Sequence, residues 1–344
     1  MSTNRIETLW YRRSLFRWIL FPIHCLLYCL VFLRRFFFKV RLFRTQHFDV
    51  PVWVVGNITV GGTGKTPIIT WLVESLKQRG LQPVVISRGY GGQSFKYPLK
   101  VTESTKAAEC GDEPKMLFKR LDVPVVVDPL RTRAVESVLE TMKPDVIISD
   151  DGLQHYQLER DLEICIVDGY RGWGNGLLMP MGPLREPISR GRLCDWRIIN
   201  GGRPEIISEL EQKWPSNGRF EVQPISLINL LTGDELPLKE GKSDLPFTDC
   251  EAVCGIGNPE KFKATLDQLS FQFHLHEFSD HHQFIVEDFA DFNDKNIIMT
   301  EKDAVKCREF AQSSWWYIKV GVKADARLES LLQKNIERLK NYND

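Results

Sequence analysis

The chain has 344 residues, which is long enough for two domains that each bury a core. Its 45 Lys and Arg balance its 45 Asp and Glu, so no overall positive field favours nucleic acid, and we expect no nucleic-acid partner. None of its eight cysteines forms a Cys-x-x-Cys pair, which argues against a zinc ribbon or a redox motif and favours buried thiols in a reducing compartment.

Residues 18–33, WILFPIHCLLYCLVFL, carry no formal charge and lie between Arg12, Arg13 and Arg17 on one side and the basic segment RRFFFKVRLFR on the other. This pattern predicts an N-terminal membrane anchor with basic flanks over residues 1–47, with the rest of the chain on the cytoplasmic face against anionic lipid. The run is shorter than the ~20 residues that span a bilayer, so a spanning helix and a helix in one leaflet are both compatible. A buried core helix is disfavoured, because arginine clusters suit lipid headgroups better.

Strands alternate with helices over residues 48–205. PVWVVGN, PVVIS, VPVVVD, VIISDDG and EICIVDG are apolar runs that end in glycine, asparagine or acidic residues, and PIITWLVESLKQRG has helical spacing of its apolar residues. Such alternation predicts an α/β core with a parallel sheet covered on both faces. Ligands in these sheets bind at the carboxyl ends of the strands.

Residues 206–240 are rich in Pro, Gly and Asn and predict a linker or a small antiparallel ribbon. Residues 241–344 return to the alternating pattern in AVCGIGNPEKFKATLDQL, FQFHLHEF, NIIMTEKDAVK and WWYIKVGV, which predicts a second α/β lobe. GIGNPE has no third glycine in register for a dinucleotide-binding turn.

The segment GNITVGGTGKTP, residues 56–67, follows a predicted strand and opens a predicted helix, as a phosphate-binding loop does. Its glycines let backbone amides face phosphates, Lys65 adds a charge near the β and γ groups, and the Thr66 hydroxyl suits Mg²⁺. Thr59 stands where G-x-x-x-x-G-K-[ST] has its first glycine. The predicted nucleotide-binding residues are Thr59, Val60, Gly61, Gly62, Thr63, Gly64, Lys65 and Thr66.

Asp150 and Asp151 follow the apolar residues of PDVIIS, as the acidic residue of a Walker B strand does. Two adjacent carboxylates repel each other unless a cation lies between them, so the pair predicts the metal side of the site. A solvated acidic turn is the alternative. Phosphoryl transfer to an alcohol also needs a base, and the residues alone do not rank the candidates. The candidate bases are Asp112, His155, Glu186, His281 and His282, and the candidate charge stabilisers are Arg88 and Arg185.

The motifs TVGGTGKTP, SRGYGG, GDEP, DDGLQH, GPLREP, DHH and TEKDAVK occur in this order behind the apolar N-terminal segment. Over nearly the whole chain this set resembles the lipid A 4'-kinase (tetraacyldisaccharide 4'-kinase) family, whose members keep Ser or Thr at the position of Thr59. The resemblance implies two α/β/α lobes joined by a two-stranded linker. It also implies transfer of the ATP γ-phosphate, with Mg²⁺, to the 4'-hydroxyl of a tetraacylated glucosamine disaccharide 1-phosphate at the inner face of the bacterial inner membrane.

The resemblance also implies roles for individual residues. Lys65 is expected to act on phosphate and Asp112 to be the general base, while His281 would hydrogen-bond Asp112 from the second lobe, so that lobe closure assembles the pair. Four residues are expected to bind magnesium, namely Thr66, Asp150, Asp151 and Glu186. Four further residues match positions near the substrate, namely Arg88, Tyr90, His155 and Arg185.

A membrane-associated P-loop switch or partitioning ATPase is the alternative function. Its loop reads K-G-G-x-G-K-[ST], and GGTGKT matches that core, but Val60 occupies the position of the signature lysine. A non-enzymatic membrane adaptor does not account for three acidic or glycine-rich motifs at successive strand ends. The sequence gives no oligomeric state.

Overall fold

The computed structural model describes residues 10–11, 15–238, 245–292 and 294–343. The chain divides into two compact units. The first comprises Met1–Ile86, Leu130–Glu221 and Ala324–Asp344, and the second comprises Ser87–Pro129 and Val222–Lys323. Arg12 and Arg13 of the predicted basic flank lie outside the described residues, as does the predicted junction of linker and second lobe at residues 240 and 241.

These units differ from the predicted domain bounds in two segments. Ser87–Pro129 was expected in the kinase core but belongs to the second unit, where Arg120 donates to Glu301 at 2.7 Å. Ala324–Asp344 was expected in the second lobe but belongs to the first unit, where Asp325 N donates to Arg219 O at 2.9 Å. Both differences arise because the chain leaves a unit and returns to it, which linear order does not reveal.

The described residues form ten α-helices, which are numbered here in chain order. They are α1 (Phe21–Lys39), α2 (Lys65–Lys77), α3 (Ala107–Cys110), α4 (Asp112–Leu121), α5 (Arg131–Thr141), α6 (Ile188–Gly191), α7 (Pro204–Lys213), α8 (Pro259–Gln268), α9 (Glu301–Cys307) and α10 (Ala326–Asn343). Short 3-10 helices cover Leu15–Leu20, Val286–Phe292 and Arg308–Phe310.

The first unit contains a parallel sheet of strand order β7-β6-β1-β5-β2, as the alternating pattern predicts. Its core includes Val54, Ile68, Leu72 and Ile147, all fully buried. The strands are β1 (Val52–Gly56), β2 (Pro83–Ser87), β5 (Val146–Asp150), β6 (Leu162–Asp168) and β7 (Trp196–Asn200). The start of β8 (Gly218–Asn229) pairs in parallel with β7.

The second unit contains the parallel order β11-β10-β12-β13, with β8 beside β13. β9 pairs antiparallel with β8 through Ser226 and Pro237, which forms the ribbon expected of residues 206–240. The strands are β3 (Leu99–Lys100), β4 (Val125–Val127), β9 (Glu235–Pro237), β10 (Asp249–Cys254), β11 (Gln272–Glu277), β12 (Ile297–Thr300) and β13 (Trp315–Ala324).

The N-terminal helix stands out because its apolar side chains are exposed. Trp18–Lys39 has a mean hydropathy of 1.7 and, by length and composition, is long and apolar enough to cross a membrane, with none of its most apolar stretch buried. Ile19 is 75% exposed and Leu26 is 61% exposed. Cys25 and Cys29 are also exposed here, so the expectation of buried thiols is wrong for these two and right for the other six. An apolar helix in which no side chain is fully buried and most are exposed suits a lipid environment.

The same helix is attached to the first unit by polar and aromatic contacts. His24 Nδ1 lies 3.0 Å from Leu178 O, and Arg34 donates to Gln154 O at 3.0 Å. The ring of Phe38 lies 5.4 Å from that of Tyr156. Two of these contacts reach the DDGLQHY segment, so α1 rests directly on one of the functional motifs.

Candidate active site

The predicted phosphate loop connects β1 to α2 and depends on a glycine at its last position. Gly64 caps α2 with φ +95°, a left-handed conformation that favours glycine. A Cβ at Gly64 would lie 2.3 Å from Asn200 Nδ2, which donates to Thr63 O at 3.0 Å. Asn200 at the end of β7 therefore holds the loop closely against the sheet and leaves no room for a side chain.

Thr59 is turned into the protein. It is 4% exposed, and Asn57 Nδ2 donates to its hydroxyl at 3.4 Å. Its neighbours tie the mouth of the loop to the GPLREP segment, because Val60 N donates to Pro183 O at 2.8 Å and Arg185 N donates to Ile58 O at 2.7 Å. Thr59 thus supports the start of the loop from behind.

Asp151 lies between two cations. Arg185 donates to its Oδ2 at 2.8 Å, and Lys65 Nζ lies 3.7 Å from its Oδ1. Burial alone would raise the pKa of Asp151, but the charges of Lys65 and Arg185 outweigh it and hold that pKa below the usual range. Arg185, expected near the substrate, therefore contacts the acidic pair as well.

The acidic pair has the chemistry that Mg²⁺ requires. Asp150 is 4% exposed at the end of β5, and Asp151 Oδ1 is buried without a hydrogen bond from the described residues. Thr66 is half-buried in the first turn of α2. No group of three or more His, Cys, Asp or Glu side chains that could hold a metal ion occurs over the described ranges. A hydroxyl and two carboxylates fit Mg²⁺.

Glu186 lies in a buried hydrogen-bond network that the sequence did not indicate. It is 3% exposed, Gln154 donates to its Oε2 at 3.2 Å, and the Tyr156 hydroxyl donates to its Oε1. Arg190 in turn donates to the Tyr156 hydroxyl at 3.1 Å. Burial, and then the Glu186 charge, raise the pKa of Tyr156, so the phenol stays protonated as a donor. Glu186 as a metal ligand remains a prediction.

His155 belongs to the turn that follows the acidic pair. Its backbone N donates to Gly152 O at 2.9 Å, and its carbonyl accepts from Arg160. The side chain is half-buried. The DDGLQH motif is thereby folded as a compact turn directly after β5.

The second predicted centre is built around Asp112, the first residue of α4. Asp112 is 2% exposed, and its Oδ2 lies 3.0 Å from His281 Nδ1. The backbone of His281 has φ +62°, which is strained for a residue with a side chain and is frequent at functional sites. Both residues belong to the second unit, so the expectation that they come from different lobes and meet on closure is wrong.

The SRGYGG motif lies beside this pair. Arg88 is exposed, and the Tyr90 ring, 72% exposed, lies 5.2 Å from the His281 ring. A Cβ at Gly91 would lie 3.1 Å from His281 Nδ1, so glycine leaves space for the imidazole. Tyr90 and Gly91 thus flank His281.

Two lysines of the TEKDAVK motif complete the centre. Lys306 Nζ, 1% exposed, lies 3.8 Å from Asp112 Oδ2 and 2.7 Å from Asp303 Oδ1. Lys302 Nζ lies 3.4 Å from His281 Nε2. Sequence reasoning assigned them no role, although a spacing of four residues on a predicted helix places two side chains on one face.

Comparison with known proteins places this architecture in a family. The family model described as "Tetraacyldisaccharide-1-P 4'-kinase" matches residues 16–337. A tetraacyldisaccharide 4'-kinase of Methylobacillus flagellatus is 43% identical over 340 residues, covering 96% of this chain and 98% of its own. One from Pasteurella multocida is 44% identical over 314 residues, covering 90% of this chain and 92% of its own.

A solved structure shows the same fold. The crystal structure of LpxK from Aquifex aeolicus in complex with ATP has a TM-score of 0.76 and 28% identity to this chain, covering 94% of this chain and 99% of its own. The α/β fold read from the sequence is therefore confirmed, as is the resemblance carried by the seven motifs.

Proposed function

Since the chain belongs to the tetraacyldisaccharide-1-P 4'-kinase family and is an ATP-dependent kinase of lipid A biosynthesis, we propose that it transfers the γ-phosphate of ATP to the 4'-hydroxyl of a tetraacylated glucosamine disaccharide 1-phosphate. The observation that carries the chemistry is the buried Asp112–His281 pair, because a kinase of alcohols needs a positioned base for the acceptor hydroxyl.

In this proposal the loop from Thr59 to Thr66 binds the ATP phosphates. Its glycines present backbone amides, and Lys65 supplies a positive charge that is already oriented by Asp151. Thr66, Asp150, Asp151 and Glu186 would hold magnesium, which would supply positive charge to the nucleotide phosphates. Arg185 holds Asp151 in place and adds a second positive charge near the transferring group.

Asp112 takes the proton of the 4'-hydroxyl as the bond to phosphorus forms. A carboxylate is a weak base for an alcohol, so it serves only where the proton leaves late, as in a loose transition state, and where the carboxylate is held in place. His281 and Lys306 both lie on the Oδ2 side of Asp112, so we assign the proton to Oδ1. Arg88, Tyr90 and His155 are proposed to contact the acceptor.

The exposed helix α1 gives the enzyme access to a lipid acceptor. A four-chain acceptor stays in the bilayer. Three exposed basic residues suit anionic headgroups, namely Lys39 at the end of α1 and Arg41 and Arg44 beyond it. We therefore place the protein on the cytoplasmic face of the bacterial inner membrane, held there by α1.

The proposal is tested with detergent-purified protein, labelled ATP, Mg²⁺ and the disaccharide 1-phosphate lipid. Wild type should label the lipid, and Asp112→Asn should reduce the rate by about 10²- to 10⁴-fold, the usual contribution of a general base. The matched control is Asp122→Asn at the exposed carboxyl end of α4, which should keep the wild-type rate. Label that appears only in free phosphate would indicate the switch ATPase instead, and full activity of Asp112→Asn would remove Asp112 as the base.

A further inference from the structure

Lys302 lies against His281 on the side away from Asp112. Its Nζ is 3.4 Å from His281 Nε2, 3.1 Å from Asp280 Oδ1 and 3.9 Å from Glu113 Oε1. The side chain is 16% exposed. Burial alone would lower the pKa of Lys302, but the charges of Glu113 and Asp280 outweigh it and hold that pKa above its usual range. Lys302 is therefore an ammonium ion at neutral pH.

An ammonium ion has three hydrogen-bond donors and no acceptor, whereas a neutral imidazole has one nitrogen of each kind. The contact with Lys302 therefore needs the lone pair on Nε2 of His281, which places the ring proton on Nδ1. We propose that Lys302 is a positioning residue that fixes His281 in the Nδ1-protonated tautomer, so that the imidazole donates to Asp112 Oδ2. The catalytic consequence of this inference rests on the proposed function of Asp112 as the base. The tautomer itself does not.

Asp280 shows why the lysine is needed. Its Oδ1 lies 3.7 Å from His281 Nε2, which is too long for a hydrogen bond but close enough to attract a proton to that nitrogen. Lys302 counteracts this attraction in two ways. Its Nζ donates to Asp280 Oδ1 at 3.1 Å, and it also donates to Nε2 of His281. Without the lysine, the Asp280 carboxylate favours a proton on Nε2 while Asp112 favours one on Nδ1, so the ring proton is no longer confined to Nδ1.

The opposite tautomer would disable the base. With the proton on Nε2, the Nδ1 lone pair would face Asp112 Oδ2 across 3.0 Å, and two acceptors at that distance repel unless Asp112 itself carries a proton. A protonated Asp112 cannot accept the proton of the 4'-hydroxyl. The ring has little freedom to avoid this conflict, because Tyr90 and Gly91 flank it.

The tautomer is measured directly in the full-length protein labelled with ¹⁵N-histidine, since the two ring nitrogens have distinct shifts when protonated and when bearing a lone pair. The His281 signals are identified by their loss in His281→Gln. In wild type at pH 8, Nδ1 should be protonated and Nε2 should not. A wild-type ring protonated on Nε2 would overturn the inference whatever the activity data show, and this measurement requires no Lys302 variant to fold.

Variants connect the tautomer to the reaction. Lys302→Met should increase protonation of His281 on Nε2 and lower kcat by roughly tenfold or more, with KM for ATP unchanged, whereas Lys302→Arg keeps a cationic donor and should restore both the wild-type tautomer and kcat. The control is Lys319→Met. It removes an ammonium ion that pairs with Glu235 elsewhere in the second unit, and it should change neither the tautomer nor kcat. If Lys302→Met keeps the wild-type tautomer and rate, the inference is wrong. If the tautomer changes and kcat does not, Lys302 controls the tautomer but Asp112 is not the base.

Discussion

Asn200, at the end of β7, donates from Nδ2 to the carbonyl oxygen of Thr63 at 3.0 Å and so fixes the predicted phosphate-binding loop to a strand far away in sequence. The contact explains why position 64 accepts only glycine: a Cβ there would collide with the same amide at 2.3 Å. The loop is therefore shaped by the sheet beside it as well as by its own glycines.

Gly64→Ala should destabilise the protein by more than about 1 kcal/mol and weaken ATP binding, because alanine is strained at φ +95° and has no space. Thermal unfolding and ATP titration measure the two effects. The comparison for unfolding is Gly62→Ala. A Cβ at position 62 meets nothing within 4 Å, so this substitution should lower the free energy of unfolding by less than about 0.5 kcal/mol. Equal stability losses in the two variants would contradict the role of Asn200.

Tyr156→Phe should raise the Mg²⁺ concentration that gives half-maximal activity by roughly tenfold, because loss of the hydroxyl leaves Glu186 Oε1 without its donor and frees the carboxylate to move. The measurement is lipid phosphorylation across a Mg²⁺ titration. Tyr342→Phe removes an exposed hydroxyl on α10 and should not change the titration. An unchanged Mg²⁺ requirement in Tyr156→Phe would contradict the prediction that Glu186 binds the metal.

Glu163 should contribute stability that depends on pH. Burial alone would raise the pKa of Glu163, but hydrogen bonds and charges from Arg190 and then Arg160 lower it more. Because the folded pKa lies below the unfolded value of about 4.3, the contribution is full above that pH and falls as acid protonates the folded carboxylate.

We therefore expect Glu163→Gln to lower the free energy of unfolding by about 3 to 5 kcal/mol at pH 7, the usual cost of leaving buried cations unpaired. The difference from wild type should narrow as the pH falls below about 4.3. Thermal unfolding from pH 7 to about pH 2 measures it, with the exposed Glu140→Gln on α5 as the control. A difference that widens in acid would contradict the assignment.

Leu30→Asp should release the protein from membranes, since a carboxylate at the centre of an inserted helix costs roughly 2.5 to 3.5 kcal/mol where leucine is favourable. Leu30 is 52% exposed, so the substitution disturbs no packing inside the protein. Co-sedimentation with anionic vesicles should fall, and phosphorylation of acceptor in those vesicles should fall with it, while ATP binding is retained. Unchanged sedimentation would mean that α1 does not hold the protein to lipid.

Local pattern was sufficient to predict a glycine-rich turn between β1 and α2, two aspartates at the end of β5 and the order of strands and helices, because each depends on residues that are close in sequence. The unit to which a segment belongs was not predictable. Asp112 and His281 are separated by 169 positions yet lie in one unit, because Ser87–Pro129 leaves the first unit before the chain returns to it.

Contacts that support the functional residues were missed for the same reason. Tyr156 holds Glu186 and Lys302 holds His281, and neither pair is visible without the tertiary structure. Tyr156 directly follows DDGLQH and Lys302 lies within TEKDAVK, so one position adjoins a recognised motif and the other lies inside one. The motifs therefore indicated which segments contain supporting side chains, but not which functional residue each of them contacts.

The contact between Arg34 of α1 and Gln154 ties the proposed membrane helix to the turn that carries the acidic pair. An enzyme held in this way meets its acceptor by lateral diffusion, so its rate should follow the number of acceptor molecules per unit area of bilayer and should fall when inert lipid dilutes them at constant bulk concentration. ATP reaches the same protein from solution, so its saturation should be insensitive to that dilution. The rate of one reaction would then depend on the surface density of the lipid acceptor and on the bulk concentration of ATP.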